Sequence, residues 1–185
     1  MPHIHNEKNQ HDLTVTAFVI RIGTPEPVAL LHMHTKQKVL LPVGGHVELD
    51  ETPWQAISHE LAEESGYQLD QLHILQPISR IKTMTKVVQH PYPLSMITHD
   101  LPLEHYHTDI EYGFVTSENP RLKIGKEESG DIRWLTKKEL SDLPSSMIFD
   151  NIRETYNFLF TEALNNWDKV DTSNFLLEFP KNYIR

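Results

Sequence analysis

The chain has 185 residues, 38% of them hydrophobic and 23% charged, with a formal net charge of −9. That is enough for one domain with a buried core. The negative balance argues against a protein that grips nucleic acid through a basic face, and no apolar run approaches the roughly 18 residues that span a bilayer. With no cysteine in the chain, disulfides and thiolate metal sites are excluded, which fits a reducing, cytoplasmic setting.

Residues 1–12 are polar and histidine-bearing, without the apolar centre of a signal peptide, and read as a flexible leader. From Leu13, LTVTAFVIRIG is β-branched and aromatic like a buried strand, and VALLHMH and KVLLPVGG read as two more. Thr52 then has the marks of a helix N-cap, with Pro53 at the first helical position and Gln55 closing a capping box; Gly66 is a natural stop. HILQPISRIK, MTKVVQHPYP, DIEYGFVT and GDIRWLT read as further strands divided by proline-rich turns. Thr136 and Glu139 form a second capping box opening KKELSDL. From Ser146 to Trp167, apolar residues at Ile148, Ile152, Tyr156, Leu159, Ala163 and Trp167 predict an amphipathic packing helix. The main domain is therefore mixed α/β over 13–167. The tail, 168–185, carries Phe175, Leu176, Leu177, Phe179 and Tyr183, too apolar for free disorder, and packs on the domain or on a second subunit of a homodimer.

The segment GGHVELDETPWQAISHELAEESGY concentrates the chemistry. At about 100° per residue, Glu60, Glu63 and Glu64 fall within an arc of about 100°, while Trp54, Ile57 and Leu61 occupy a neighbouring one. One face is core and the next is acid. Like charges three and four apart repel, so a solvated acidic face competes with a compensated one. Clustered hard oxygen donors suit Mg²⁺ or Mn²⁺, which keep water and substrate phosphates in their remaining positions. Gly44 and Gly45 would let backbone approach the same ion.

The segment resembles the signature of the Nudix hydrolases: Gly, five residues, Glu, seven residues, then Arg-Glu-apolar-any-Glu-Glu-any-Gly-apolar. Gly45, Glu51, Glu60, Leu61, Glu63, Glu64, Gly66 and Tyr67 occupy their slots, and His59 stands where the family has arginine. The resemblance covers roughly Leu13 to Leu143. It implies an α/β/α sandwich with a mixed sheet and Mg²⁺-dependent hydrolysis of a nucleoside diphosphate linked to another moiety, a small nucleotide-like substrate. On that likeness Glu60, Glu63, Glu64 and the Gly45 carbonyl hold Mg²⁺ (or Mn²⁺), Glu60 or Glu63 takes the proton from water, and Glu51 and Gly66 are structural. The family's arginine orients the carboxylates with forked, permanently charged donors. Histidine offers at most two donors, so His59 either positions Glu63, four residues on, or marks a weakened site that binds and senses a nucleotide.

Later segments extend the likeness. HPYPLSMITHDLPLEHYHTDIEYGF is similar to a bacterial Nudix subgroup with His-Pro-any-Pro before His-any-His-any-Asp, here His90, Pro91, Pro93, His105, His107 and Asp109; His90, His107 and Asp109 are the implied substrate contacts. EESGDIRWLTKKEL resembles the family's later acidic strand, which makes Glu128 a further metal ligand, with Glu127 and Asp131 next. Of three His-x-His pairs, His3/His5 lies in the leader and carries no reading, whereas His32/His34 and His105/His107 read first as imidazoles lining a polar pocket or bonded at strand ends. Their spacing on one strand face is also one that chelates Zn²⁺.

Overall fold

A computed structural model describes residues 9–101, 105–126 and 128–178. Residues 1–8 of the expected leader, with His3 and His5, and Glu127 and the end of the tail with Phe179 and Tyr183 lie outside the described residues.

Two long strands form the centre of the sheet: β1 (His11–Arg21) and β7 (His105–Thr116) run parallel in unbroken register from His11 opposite Tyr106 to Arg21 opposite Thr116. The other pairings are antiparallel. β2 (Val28–Met33) meets β1 at Ile20 and Arg21 and carries β3 (Leu40–Leu41) and β8 (Ile132–Thr136). β4 (Val43–His46) lies along the earlier half of β1, with Gly45 opposite Val15 and Gly44 opposite Thr16. On the far edge of β7, β6 (Ser95–Leu101) follows its first half, β5 (His73–Gln76) meets Ile74 to Phe114, and β9 (Asp168–Asp171) adds to β5. The sheet therefore divides at its middle, and the β4-β1-β7-β6 end is where the chemistry lies.

Alternation along β1 splits the core into two layers. Val15, Ala17 and Val19 pack with Trp54, Ile57 and Leu61 of α1 (Pro53–Glu60) and its continuation. Phe18 and Ile20 pack on the other face with Ile148, Ile152, Tyr156, Leu159 and Ala163. The result is the expected α/β/α sandwich around a mixed sheet. Each large side chain fully buried here contributes ~1.5–3 kcal/mol. Trp54, fully buried, contacts the rings of Tyr112, Phe114 and Phe175, so residues of the tail join the α1-side core.

Helix α1 starts as its sequence dictates. The Thr52 hydroxyl accepts from Gln55 N–H at 3.3 Å and the Gln55 side chain accepts from Thr52 N–H at 2.8 Å. Gly66 ends the helix with φ of 74°, and a Cβ there would lie 2.3 Å from the Leu122 carbonyl oxygen. The second capping box, Thr136 with Glu139, opens α2 (Lys137–Asp142) in the same way.

Several elements depart from expectation. β1 begins at His11, so the last two residues of the expected leader belong to the strand. MTKVVQHPYP is irregular: Pro91 and Pro93 have no N–H to offer a ladder, and a strand follows instead at Ser95–Leu101. HILQPISRIK is a strand only to Gln76, where Pro77 ends it. The C-terminal helix α3 opens at Asp150 rather than Ser146 and runs to Phe158, continuing as a π-helical turn at Leu159–Ala163 and a last turn, α4 (Leu164–Asn166). Ile148 still reaches the core, from the approach to α3. No helix among the described residues is long and apolar enough to cross a membrane.

Candidate functional site

After Glu60 the helix widens into a π-helical turn, Leu61–Ser65, which carries Glu63 and Glu64. Such turns are rare and concentrate at functional sites. Here the wider turn follows the buried Leu61 and sets Glu64 against β4: Glu64 Oε2 accepts the Gly44 N–H at 2.9 Å. Glu60 lies against the next residue, because a Cβ on Gly45 would fall 2.0 Å from Glu60 Oε1. Glycine at 45 is thus a requirement of space. Gly45→Ala is expected to displace the Glu60 carboxylate and weaken apparent Mg²⁺ affinity by roughly tenfold, about 1.4 kcal/mol, checked by titrating Mg²⁺ against thermal stability.

The loop before β8 completes the cluster. Gly125 N–H donates to the Glu63 carbonyl at 2.7 Å and Glu128 N–H to the Gly125 carbonyl at 3.1 Å, which ties Glu128 to the end of the helix. Its carboxylate reaches Glu64 and raises the pKa of both Glu60 and Glu64. Asp131 is not part of this cluster; just before β8, it pairs with Arg133 of that strand at 2.8 and 3.0 Å.

Electrostatically the cluster is unfinished. Burial, then the charges of Glu63 and Glu128, push the Glu60 carboxyl up to about 7, with His59 pulling the other way. Burial pushes Glu64 up to about 9; the Gly44 N–H opposes this, and Glu60 and Glu128 add to it. Glu60 Oε1 is buried without a hydrogen-bond partner. Buried carboxylates that repel one another, one with an orphaned oxygen over a glycine, fit a divalent cation with oxygen ligands. Sequence reasoning named His32 on β2 only as half of a His-x-His pair and did not join it to the glutamates, yet its Nε2 lies 3.5 Å from Glu64 Oε2. Burial lowers its pKa to about 4, so the imidazole stays neutral and available as a donor or ligand. Its only signal in the sequence is the His32/His34 alternation on a strand leading toward the glycine pair.

His59 sits between two glutamates. Nε2 is 3.0 Å from Glu63 Oε1 and Nδ1 is 3.5 Å from Glu51 Oε1. Partial burial alone would lower its pKa, but the charge and hydrogen bond of Glu63, with Glu51 and Glu60 behind it, raise it. One ring nitrogen for each carboxylate reproduces the two-pronged reach of an arginine fork.

The implied substrate contacts stand elsewhere. His107 and Asp109 lie on β7, on the sheet face opposite α1, as the register with Asp12 and Thr14 shows. Asp109 accepts from the hydroxyls of Thr14 at 3.0 Å and Thr16 at 2.7 Å; burial raises its pKa and those hydroxyls oppose the rise. His90 precedes β6 in irregular chain, its Nδ1 buried without a partner, and burial lowers its pKa. A groove of about 490 Å³ lined by Gln76, Arg80, Tyr92 and Phe175 opens near β5 and does not include the glutamates.

The profile of the NUDIX domain matches residues 11–156. Among solved structures, a NUDIX-family hydrolase from Clostridium perfringens is 26% identical, covering 80% of this chain and 97% of that one at a TM-score of 0.62. The NUDIX domain of Shewanella oneidensis NrtR, complexed with ADP ribose, is 16% identical over 82% of this chain and 89% of that one, TM-score 0.58. The E. coli dihydroneopterin triphosphate pyrophosphohydrolase is 14% identical over 83% and 95%, TM-score 0.56. No curated protein matches the sequence. With the family profile running across most of its length, the chain belongs to the NUDIX hydrolase family.

Proposed function

We propose that the protein hydrolyses a small nucleotide-like diphosphate, a nucleoside diphosphate linked to another moiety, with Mg²⁺ as its cofactor and Mn²⁺ as a substitute. The observation that carries this reading is the cluster of Glu60, Glu64 and Glu128 around Gly45, with buried, mutually repelling carboxylates that a divalent cation would reconcile. ADP ribose, with which the similar NrtR domain is complexed, belongs to the proposed class, and the similar E. coli enzyme is named for a pyrophosphohydrolase activity on dihydroneopterin triphosphate. The net charge of −9 makes a cation all the more necessary for an anionic substrate. The absence of cysteine is in keeping with a cytoplasmic enzyme.

Glu60, Glu63, Glu64, Glu128 and the Gly45 carbonyl would hold the cation. When bound, it neutralises the diphosphate and acidifies water for attack on phosphorus. The protein's own groups do the rest. Glu60 and Glu64 are buried, whereas the Glu63 side chain is half exposed, so Glu63 faces the incoming water and is assigned as the group that takes its proton. His59 fixes the Glu63 carboxylate through Nε2 and anchors itself on Glu51 through Nδ1. Gly66 and the Gly125 N–H hold the end of the helix so that this arrangement is preset. Of the implied substrate contacts only His90 is retained for the organic part of the substrate, because His107 and Asp109 face away from the glutamates across the sheet.

A positioning role for His59 has a distinct signature. His59→Arg is expected to change kcat by less than about threefold at neutral pH, and His59→Ala to lower it by roughly tenfold. In the wild type, kcat should fall as pH rises through the raised imidazole pKa, and His59→Arg should remove that limb. A gain of orders of magnitude in His59→Arg would instead favour a second reading, motivated by the same residue: a catalytically weak NUDIX module that binds and senses a nucleotide. A panel of ADP-ribose, dinucleoside polyphosphates and nucleoside triphosphates, assayed with and without Mg²⁺ for released monophosphate or phosphate, separates the two. Turnover that requires Mg²⁺ supports the enzyme; ligand-induced melting shifts with no turnover support the sensor.

A further inference from the structure

On the sheet face away from α1, the register gathers a second set of metal-ligating side chains. Asp12 on β1 lies opposite His107 on β7; His99 on β6 lies opposite His107 from the other side; His105 is two residues before His107 and so shares its face. Asp12 is fully buried and His105 nearly so. His105 Nε2 is 3.2 Å from Asp12 Oδ2, and His46 Nε2, arriving from β4, is 3.4 Å from the same oxygen. The His107 ring stands edge-on to the rings of His46, His99 and His105 at 4.9–5.6 Å. One ligand atom each from Asp12, His105 and His107 lies within 4.8 Å of the others.

We propose that Asp12, His105 and His107 form a second metal site, for Zn²⁺ or a similar borderline divalent transition ion, separate from the glutamate cluster. The donor set decides the class of ion. Two imidazoles and one carboxylate suit Zn²⁺ and its neighbours, whereas the all-oxygen glutamate cluster suits Mg²⁺. Size agrees as well. Bonds of about 2.0–2.1 Å in a tetrahedron put ligand atoms roughly 3.3 Å apart. The Asp12–His105 distance of 3.2 Å is already there, and the 4.8 Å limit on the set means that His107 needs to move by no more than about 1.5 Å. A buried aspartate shared by imidazoles is also read as a hydrogen-bonded strand-end network. The third ligand favours an ion, because the contacts of His105 and His46 with Asp12 do not require His107 to bring a ring nitrogen within 4.8 Å of both Asp12 and His105. Three protein ligands leave a fourth position for water, with His46 beside it. The site lies about 10 Å along β1 from Val15, the partner of Gly45, and on the other face of the sheet. It is independent of the diphosphate reading.

The test is Zn²⁺ binding by the EDTA-stripped full chain, on a His3→Ala/His5→Ala background so that the N-terminal imidazoles contribute nothing, followed by calorimetry and by Co²⁺ absorption. One equivalent is expected, surviving millimolar Mg²⁺ and unchanged in Glu60→Gln/Glu64→Gln. The Co²⁺ form should show the intense visible bands of four-coordination. His107→Gln and Asp12→Asn should each weaken binding by more than the ~10–100-fold that changes beyond the ligand shell cause. His107 is the less buried of the two, and Asp12→Asn with the Mg²⁺ competition carries the test if His107→Gln does not fold. Binding that is lost with the glutamates and indifferent to His107 and Asp12, or no Zn²⁺ binding at all, overturns the proposal. Loss of turnover on the substrate panel leaves it standing.

Discussion

Glu64→Gln is expected to lower Mg²⁺-dependent turnover by about three orders of magnitude while raising the melting temperature of the metal-free protein at pH 8. The two effects share one cause. Glu64 is buried, accepts the Gly44 N–H at 2.9 Å and faces Glu60 and Glu128, and burial with those charges drives its pKa to about 9. Glutamine keeps the shape, its oxygen still accepts from Gly44, and its amide can donate to Glu128, so the folded protein keeps these contacts and sheds the cost of holding a buried carboxyl protonated at pH 8. A cation loses an anionic ligand that an amide does not replace. A substitution that merely damaged the core would lower both quantities, so opposite signs identify a residue kept for function against stability. Steady-state kinetics and melts in EDTA measure the pair.

The second large effect is on stability as a function of pH. Glu60 and Glu64 have folded-state pKa values raised from 4.5 to about 7 and about 9. A group with a raised folded pKa holds more protons folded than unfolded. Its contribution is complete below about 4.5 and is lost as pH rises through the folded value. In EDTA the melting temperature is therefore expected to fall between pH 6 and pH 9. If ~2–3 kcal/mol of this linkage is realised, the fall is roughly 5–10 °C for a domain of this size. Saturating Mg²⁺ should reverse the trend, since it binds the ionised carboxylates and its stabilisation grows as protons leave. Scanning calorimetry at several pH values, with EDTA and with Mg²⁺, gives both curves. Parallel curves would show that the cation does not bind at these glutamates.

How far the sequence reached depended on the range of the interaction. Thr52, Pro53, Gln55 and Gly66 define α1 because capping is decided within a few residues, and the structure places its start and stop where those residues require. The glutamates at 60, 63 and 64 and the glycine at 45 were legible as a spaced pattern. The π-helical turn that carries Glu63 and Glu64 was not, because no residue type marks it. His32 joins Glu64 only through the path of β2, and Asp12 meets His105 only because β1 and β7 run parallel across 93 positions of sequence. Both are consequences of register, which a local pattern does not encode. The stretch around Val87 and Val88 misleads in the opposite direction: its β-branched pair suggests a strand, but the prolines at 91 and 93 deny it a ladder. His59 stood out as a departure from the family's arginine; the structure sets it against both Glu51 and Glu63, the contacts on which its proposed positioning role rests.

In the proposed reaction water attacks phosphorus at the glutamate cluster, and hydrolysis in ¹⁸O-labelled water tests that step directly. With the best substrate of the panel and Mg²⁺, the expected result is two phosphorus-bearing products from the cleaved diphosphate, one carrying a single ¹⁸O on its phosphate, and no product from Glu64→Gln on the same timescale. Label in a sugar hydroxyl, or label incorporated equally by Glu64→Gln, would contradict it.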